Sequence, residues 1–338
     1  MRFKLVCGVL LVTTATWVSA FGGGFEDRLP DPHNVGSLDA QDQADSGHVC
    51  GTTSSGVDQE LQVAASLEIE SMMEAEAINV APVRQGRGHA KTATRKPCTI
   101  PTFHASINIP VYWHQIVFNM TDEGGLLESK VIEQQINAMT FVYNQNKMPF
   151  RFDLVNISIK VSAKWASNFS AYDPNIKGSL RRGDCTSLNV YSVPYMAGMA
   201  PEVIGASSFP WDCKKAPKLD GITIAKHVVG RPSNTTMYKM TMAHEAGHFL
   251  GLFHTFEGGC NSAHGDHVPD TEPQNDSRLW YCPNPPTNTC RRSRNRNHAD
   301  PPDPIANIMD YRPDSCWNKF TCGQVARAIH FWQKYRAR

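Results

Sequence analysis

Residues 107–118, INIPVYWHQIVF, alternate apolar and polar positions and are rich in β-branched and aromatic side chains, the pattern of a strand. In LLESKVIEQQINAMTFVYNQ (126–145) the apolar residues recur at helical spacing. The strand pattern returns in FRFDLVNISIKV (150–161) and LNVYSVP (188–194), and VIGASSFP (203–210) and DGITIAKHVV (220–229) are two further candidates. TMYKMTMAHEAGHFLGLFH (236–254) goes back to helix. Beyond Glu257 the pattern breaks into Gly, Pro, Asn and Cys, and a stretch of that kind needs disulfides or ions to hold it. TCGQVARAIHFWQKYR (321–336) predicts a closing helix. This order of elements, without internal repeats, predicts an α+β fold.

The N-terminal hundred residues read differently. MRFKLVCGVLLVTTATWVSA (1–20) runs from basic to apolar to small residues, as a secretory signal does, and its apolar run is shorter than the ~20 residues needed to span a bilayer. Residues 21–57 have the polar, aromatic-poor composition of a mobile leader. DQELQVAASLEIESMMEAEA (58–77) is a strong helix former, and VRQGRGHAKTATRKPC (83–98) is a basic linker with several sites for proteases that cut after Lys or Arg. The expected division is therefore a signal peptide at 1–20, a leader at 21–95 and a catalytic domain at 96–338.

With 33 Lys and Arg against 32 Asp and Glu, the net charge of +1 gives no whole-chain attraction to nucleic acid. The local basic run RRSRNRNH (291–298) reads as a solvated loop, with a polyanion-binding patch or a self-cleavage site as the alternative. No later segment is long and apolar enough for a membrane span. Nine cysteines remain after Cys7 leaves with the signal, which in an oxidising compartment suggests about four disulfides and one odd thiol. Sequons at Asn119, Asn156, Asn168, Asn234 and Asn275 fit an exported glycoprotein.

HEAGHFLGLFH (244–254) places four titratable side chains in a segment patterned for burial. On a helix His244 and His248 share one face, so both imidazoles can reach one ion. Glu245 leans toward the open side of that ion, where a carboxylate can take a proton from water. Gly251 lets the chain leave the helix and return His254 as a third ligand. Three protein ligands and one open position are the mark of a catalytic zinc site. His114, His227, His264 and His267 lack ligand spacing and read as surface or structural.

This motif, followed by ANIMDYRPDSC with Met309 about 55 residues after His254, resembles the metzincin zinc peptidases. Within that clan the chain is most similar to the pappalysins, especially secreted microbial and fungal members. The matching stretches are VYWH, FPW, DGITI, HEAGHFLGLFHTFEGGC, GDHVPDTEPQ, CPNPPTNTC, NIMDYRPDSC and FTCGQVAR, spanning roughly residues 107 to 328. The resemblance implies a twisted, mostly parallel sheet with the active-site helix above it and an irregular, disulfide-stapled C-terminal half. It implies that Met309 floors the zinc site, that Tyr311 steadies an oxyanion, and that peptide lies along a rim strand within 203–210. It implies a Cys260–Cys290 and a Cys282–Cys316 bridge, and Cys185–Cys213 is taken as a third.

GDHVPDT resembles a calcium-binding stretch, offering Asp266, Asp270 and Thr271, although Glu272 stands where the family more usually has Pro; a solvated polar turn is the alternative. Cys50-Gly51-Thr52 is similar to a motif near the start of many fungal relatives. Cys50 is either a latency thiol that occupies the open zinc position or half of an ordinary disulfide, with Cys98 or Cys322. Asp314, close to the methionine turn, would draw Arg or Lys to the subsite after the scissile bond, unless it faces water. The expected function is a secreted zinc-dependent endopeptidase acting on proteins or peptides, with oligomeric state left open. A binding module on an inactive scaffold and a zinc hydrolase of non-peptide bonds are the rival classes.

Overall fold

The computed structural model describes residues 49–50, 52, 59–78, 106–200, 203–230, 240–261, 264–275, 281–290 and 301–337, all within the compact unit Leu38–Arg338. The expected signal peptide, most of the leader, the linker, Cys98, Asn234 and the basic run 291–298 lie outside the described residues. No described helix is long and apolar enough to cross a membrane.

Strands β1 (Val49–Cys50), β2 (Ile107–Val117), β3 (Phe150–Val161), β4 (Leu188–Val193), β5 (Val203–Ser207) and β6 (Ile222–Ala225) form one sheet in the order β1-β5-β6-β4-β2-β3. Pairing is parallel from β3 through β2 and β4 to β6, and antiparallel between β6 and β5. Helices α1 (Gln59–Ile78), α2 (Ser129–Gln145), α3 (Ala163–Ser167), α4 (Phe169–Leu180), α5 (Thr241–Phe249) and α6 (Cys322–Phe331) complete the α+β arrangement.

β1 corrects the reading of residues 21–57 as wholly mobile. A two-residue strand has no period to detect, and its partner lies 150 residues away: Val49 sits opposite Val203 and Cys50 opposite Gly205, parallel to β5. Helices α3 and α4 were not anticipated either. They are short, with Pro174 inside α4, and each starts on a side-chain cap: Ser162 accepts from the Trp165 amide and Asn168 from the Ala171 amide, both at 3.3 Å. The expected strand at 220–229 stops at Ala225 and tightens into a 3-10 turn, Lys226–Val228. The active-site helix stops at Phe249, and Gly251, the residue expected to let the chain leave it, takes φ +97°, a conformation that other residues resist. The closing helix gives way after Phe331 to a wider π turn, Trp332–Arg336.

The core lies between the sheet and helices α2 and α5. Ile132, Ile136, Met139 and Tyr143 of α2 are buried together with Ile109, Val111, Trp113, Phe150 and Phe152 of the sheet. Burying a side chain of this size stabilises by roughly 1.5–3 kcal/mol. The Tyr143 hydroxyl donates to the Ala243 carbonyl at 3.0 Å and so ties α2 to α5. Every residue of α5 is buried. The irregular C-terminal half is cross-linked by Cys260–Cys290 and Cys282–Cys316, and Cys185–Cys213 closes the third expected bridge. Cys322 is also disulfide-bonded. Cys50 is not, which removes the ordinary-disulfide reading of that residue.

Candidate active site

Helix α5 carries His244 and His248 one turn apart, and the Gly251 turn brings His254 to them. The imidazoles are fixed by backbone carbonyls: His244 Nδ1 donates to Ile308 O at 2.6 Å and His248 Nδ1 to Leu252 O at 2.7 Å. A carbonyl only accepts, so the protons sit on Nδ1 and the Nε2 lone pairs point inward. His248 Nε2 lies 3.2 Å from His244 Nε2 and 3.1 Å from His254 Nε2. Nitrogens bonded to one zinc at ~2.0–2.1 Å in tetrahedral geometry would be about 3.3 Å apart. Converging lone pairs repel unless a cation sits among them, so the residues fit a metal.

Burial pushes His248 and His254 well below the usual histidine range, and the neighbouring imidazoles add to the shift. Both rings therefore stay neutral and ready to bind a cation. Aromatic rings hold them further. Trp317 stacks on His244 at 5.4 Å and Phe256 on His254 at 4.8 Å.

Cys50, in β1, also enters this cluster. Its Sγ and one nitrogen from each of the three histidines all lie within 4.8 Å of one another, in a buried group that could hold a metal ion. The thiol also donates to Glu245 Oε2 at 3.3 Å. Burial raises the Cys50 thiol well above its usual range, and the facing Glu245 adds to this. Thr52 reinforces the placement: its hydroxyl donates to Glu245 Oε2 at 3.4 Å and accepts from the Ser207 amide of the rim strand at 2.8 Å. Burial pushes Glu245 up to about 8, against the lowering effect of its bonds from Cys50 and Thr52. Its Oε1 is buried without a partner.

Met309 lies directly beneath α5. A Cβ added to Gly247 would stand 2.3 Å from Met309 Sδ, so this glycine makes room for the methionine. Gly205 of β5 does the same for Glu245, whose Oε1 would lie 2.5 Å from an added Cβ. The Tyr311 hydroxyl donates to Cys50 O and accepts from Cys50 N, both at 2.9 Å. Beneath it Asp310 accepts from the Tyr311 amide (2.8 Å), from Gln274 (2.7 Å) and from Arg312 (3.2 Å). Burial lifts Asp310 to about 6, with Arg312 pulling the other way.

Gly205, Gly247, Thr52, Gln274, Arg312 and Trp317 were not among the sequence expectations as site residues. Spacing alone gives no signal for them, because each acts through a partner distant in the chain.

Asp266, Asp270 and Thr271 lie in the turn that precedes the irregular segment. One Asp266 oxygen accepts from the Val268 amide at 3.0 Å, and one Asp270 oxygen from the Gly323 amide at the start of α6 at 2.9 Å. The second oxygen of each carboxylate and the Thr271 hydroxyl are buried, and the Thr271 side chain lies close enough to Asp266 to favour its ionised form. Asp314 is half-buried, and its carbonyl accepts from Trp317 N at 3.2 Å. Of the four histidines expected to be surface or structural, His114 is buried between Ser158 and Asn189, His267 is buried, and His227 and His264 are exposed; none joins the cluster.

The peptidase family M43, described as pregnancy-associated plasma protein-A, matches residues 183–333. Extracellular metalloprotease 1 of Coccidioides posadasii is 32% identical over 237 residues, covering 69% of this chain and 79% of the relative. An extracellular metalloprotease of Pyricularia oryzae is 31% identical over 290 residues, covering 83% and 92%. Among solved structures, a Tannerella forsythia promirolysin variant superposes with TM-score 0.57 at 20% identity, covering 86% of this chain and 95% of that one. Mature mirolysin of the same organism, in complex with a cleaved peptide, gives 0.52 at 22% identity, covering 70% and 97%.

Proposed function

The chain belongs to the pappalysin family of metalloendopeptidases, and from that premise we propose that it is a secreted zinc endopeptidase made as a latent precursor. The observation that carries the reading is the convergence of three Nε2 atoms from His244, His248 and His254 beside the buried Glu245. These histidines would hold zinc, which when bound supplies Lewis acidity toward a carbonyl and acidifies water.

The chain's own groups do the rest. Substrate lies extended along β5 in the place that β1 now occupies, pairing main chain to main chain. Glu245 takes the proton from the attacking water and returns it to the departing amine nitrogen. Its burial suits both tasks, since a carboxyl raised toward neutrality can hold the proton between them. Tyr311 already donates to a peptide carbonyl in the cleft, Cys50 O, and would donate in the same way to the oxyanion of the scissile peptide. Met309, seated against Gly247, keeps the floor apolar.

Latency rests on Cys50. Its thiol faces the three histidines and Glu245 at once, so the leader that carries it shuts out both water and substrate. The longer coverage by the promirolysin variant than by mature mirolysin, 86% against 70% of this chain, supports the reading of the N-terminal part as a leader. Export through the signal at 1–20, glycosylation at exposed sequons such as Asn156, and removal of the leader within the linker belong to the same proposal. Asp314, beside the methionine turn, selects Arg or Lys after the scissile bond; a peptide library cleaved without a basic preference at that subsite would remove this element. Calcium at Asp266, Asp270 and Thr271 is supported by the gathering of their buried oxygens in one turn.

The test is metal content beside activity. Wild-type protein should carry about one zinc per chain and, freed of its leader, hydrolyse casein. Chelation should stop hydrolysis and zinc should restore it. His254→Ala should lose both metal and activity, and full activity in His254→Ala would sink the assignment.

A further inference from the structure

The leader touches the catalytic domain at a second place, away from the cleft. Helix α1 buries Gln62, Ala65 and Ile69, at positions i, i+3 and i+7, the inward stripe of an amphipathic helix. Ala65 is enclosed by Phe209, Trp211, Phe253 and Phe331, and Ile69 is fully buried. Gln62 Oε1 accepts from Arg327 Nη2, while Arg327 Nε donates to Gly251 O, the turn that ends α5, at 2.8 Å. Ser66 Oγ donates to His267 O at 3.2 Å, and Glu68 faces His330 at 3.4 Å.

The charges follow the same division. Residues 29–83 contain ten Asp and Glu and neither Lys nor Arg, whereas the expected catalytic domain, 96–338, contains 26 Lys and Arg against 20 Asp and Glu. The near-neutral total conceals an acidic leader opposite a basic domain, a complementarity that favours their association. Because no Lys or Arg lies between Arg28 and Arg84, a protease that cuts after those residues would open the linker and leave the fragment carrying Cys50 and α1 whole.

We propose that the face formed by Phe253, Phe331, Arg327 and His330 is a binding surface for an acidic amphipathic helix, and that α1 keeps the leader seated there after the linker is cut. The inference rests on reading the N-terminal part as a leader. Cutting the linker is then necessary for activation but not sufficient: Cys50 stays in the cleft until the helix dissociates or is itself cut.

The experiment uses full-length protein. Limited trypsin treatment opens the linker, native size exclusion at about 0.1 M salt follows, and fragment 29–84 is located by mass. The wild-type fragment should co-elute with the catalytic domain, which should hydrolyse casein poorly. Ile69→Glu puts a charge into the buried stripe and should weaken retention at least about tenfold, so that its fragment elutes alone. Cys50→Ala, with the helix intact, should still co-elute.

Glu68→Lys, at an exposed position, leaves the core untouched and should release its fragment at lower dilution than wild type. A wild-type fragment that elutes alone, an Ile69→Glu fragment retained as fully as wild type, or a Cys50→Ala fragment that elutes alone would each overturn the proposal. Casein hydrolysis by the separated catalytic peak reports on the peptidase reading independently. An inactive peak with the expected retention pattern would sink that reading alone, and an active peak with a freely dissociating wild-type fragment would sink the surface alone.

Discussion

Gly247 shows how closely single residues define this site. A methyl group there would meet Met309 Sδ at 2.3 Å, in a helix that is buried along its whole length. Gly247→Ala should therefore cost about 1–3 kcal/mol of overpacking, seen as a lower urea midpoint and a weaker hold on zinc. Gly178 in α4, where nothing lies within 4 Å, is the control: Gly178→Ala should be neutral or stabilise by a few tenths of a kcal/mol or more. Asp266 offers a test through pH. Burial pushes it up to about 8, against the pull of Arg327. A carboxyl raised in the folded state contributes stability that is full below its unfolded pKa near 4 and is lost as pH rises through about 8. Calcium at the proposed site would bind the ionised form and offset that loss. In calcium-free, zinc-replete buffer the melting temperature should fall across this window, and added calcium should remove most of the fall. A melting temperature indifferent to calcium throughout would count against the site.

Elements hold these residues in register, and the C-terminal segment does so for α5. Arg336 donates from Nε to Phe249 O at 2.8 Å, at the end of the active-site helix, and both its terminal nitrogens reach Asp220 at 3.0 Å. Arg181 reaches the same carboxylate at 3.4 Å. Arg336 and Asp220 are buried, so Arg336→Met leaves a buried charge undercompensated and should cost roughly 3–5 kcal/mol. Equilibrium urea denaturation checks it, and a change under about 1 kcal/mol would contradict this role. None of this was legible in the sequence. The strands 107–117 and 150–161 were, because alternation and β-branched content mark them directly. So was the gathering of His244, His248 and His254 with Glu245 beside them, which their spacing within one turn and the next dictates. Gln274, Asp310 and Arg312 were missed because the buried network reaches across 36 positions from Asp310 to Gln274, and no local period reports that. β1 escaped for the same reason: its two residues acquire meaning only from Gly205 and Tyr311.

Across the whole molecule, β1 joins the strands of residues 107–225 in one sheet, and its Cys50 shares one cluster with the three histidines. β1 extends the rim of the sheet, Cys50 faces the three histidines, and α1 packs beside α6. On the proposed reading, the same arrangement would hold a peptide along β5 for cleavage and keep the intact chain from cleaving it. The most direct test compares the leader-free enzyme with its Glu245→Gln variant, zinc being counted in both and casein hydrolysis followed. The account predicts about one zinc per chain in each, with hydrolysis in the wild type and a loss of at least ~10³-fold in the variant. Equal hydrolysis by both, or a zinc-loaded wild type that cleaves no peptide bond, would contradict it.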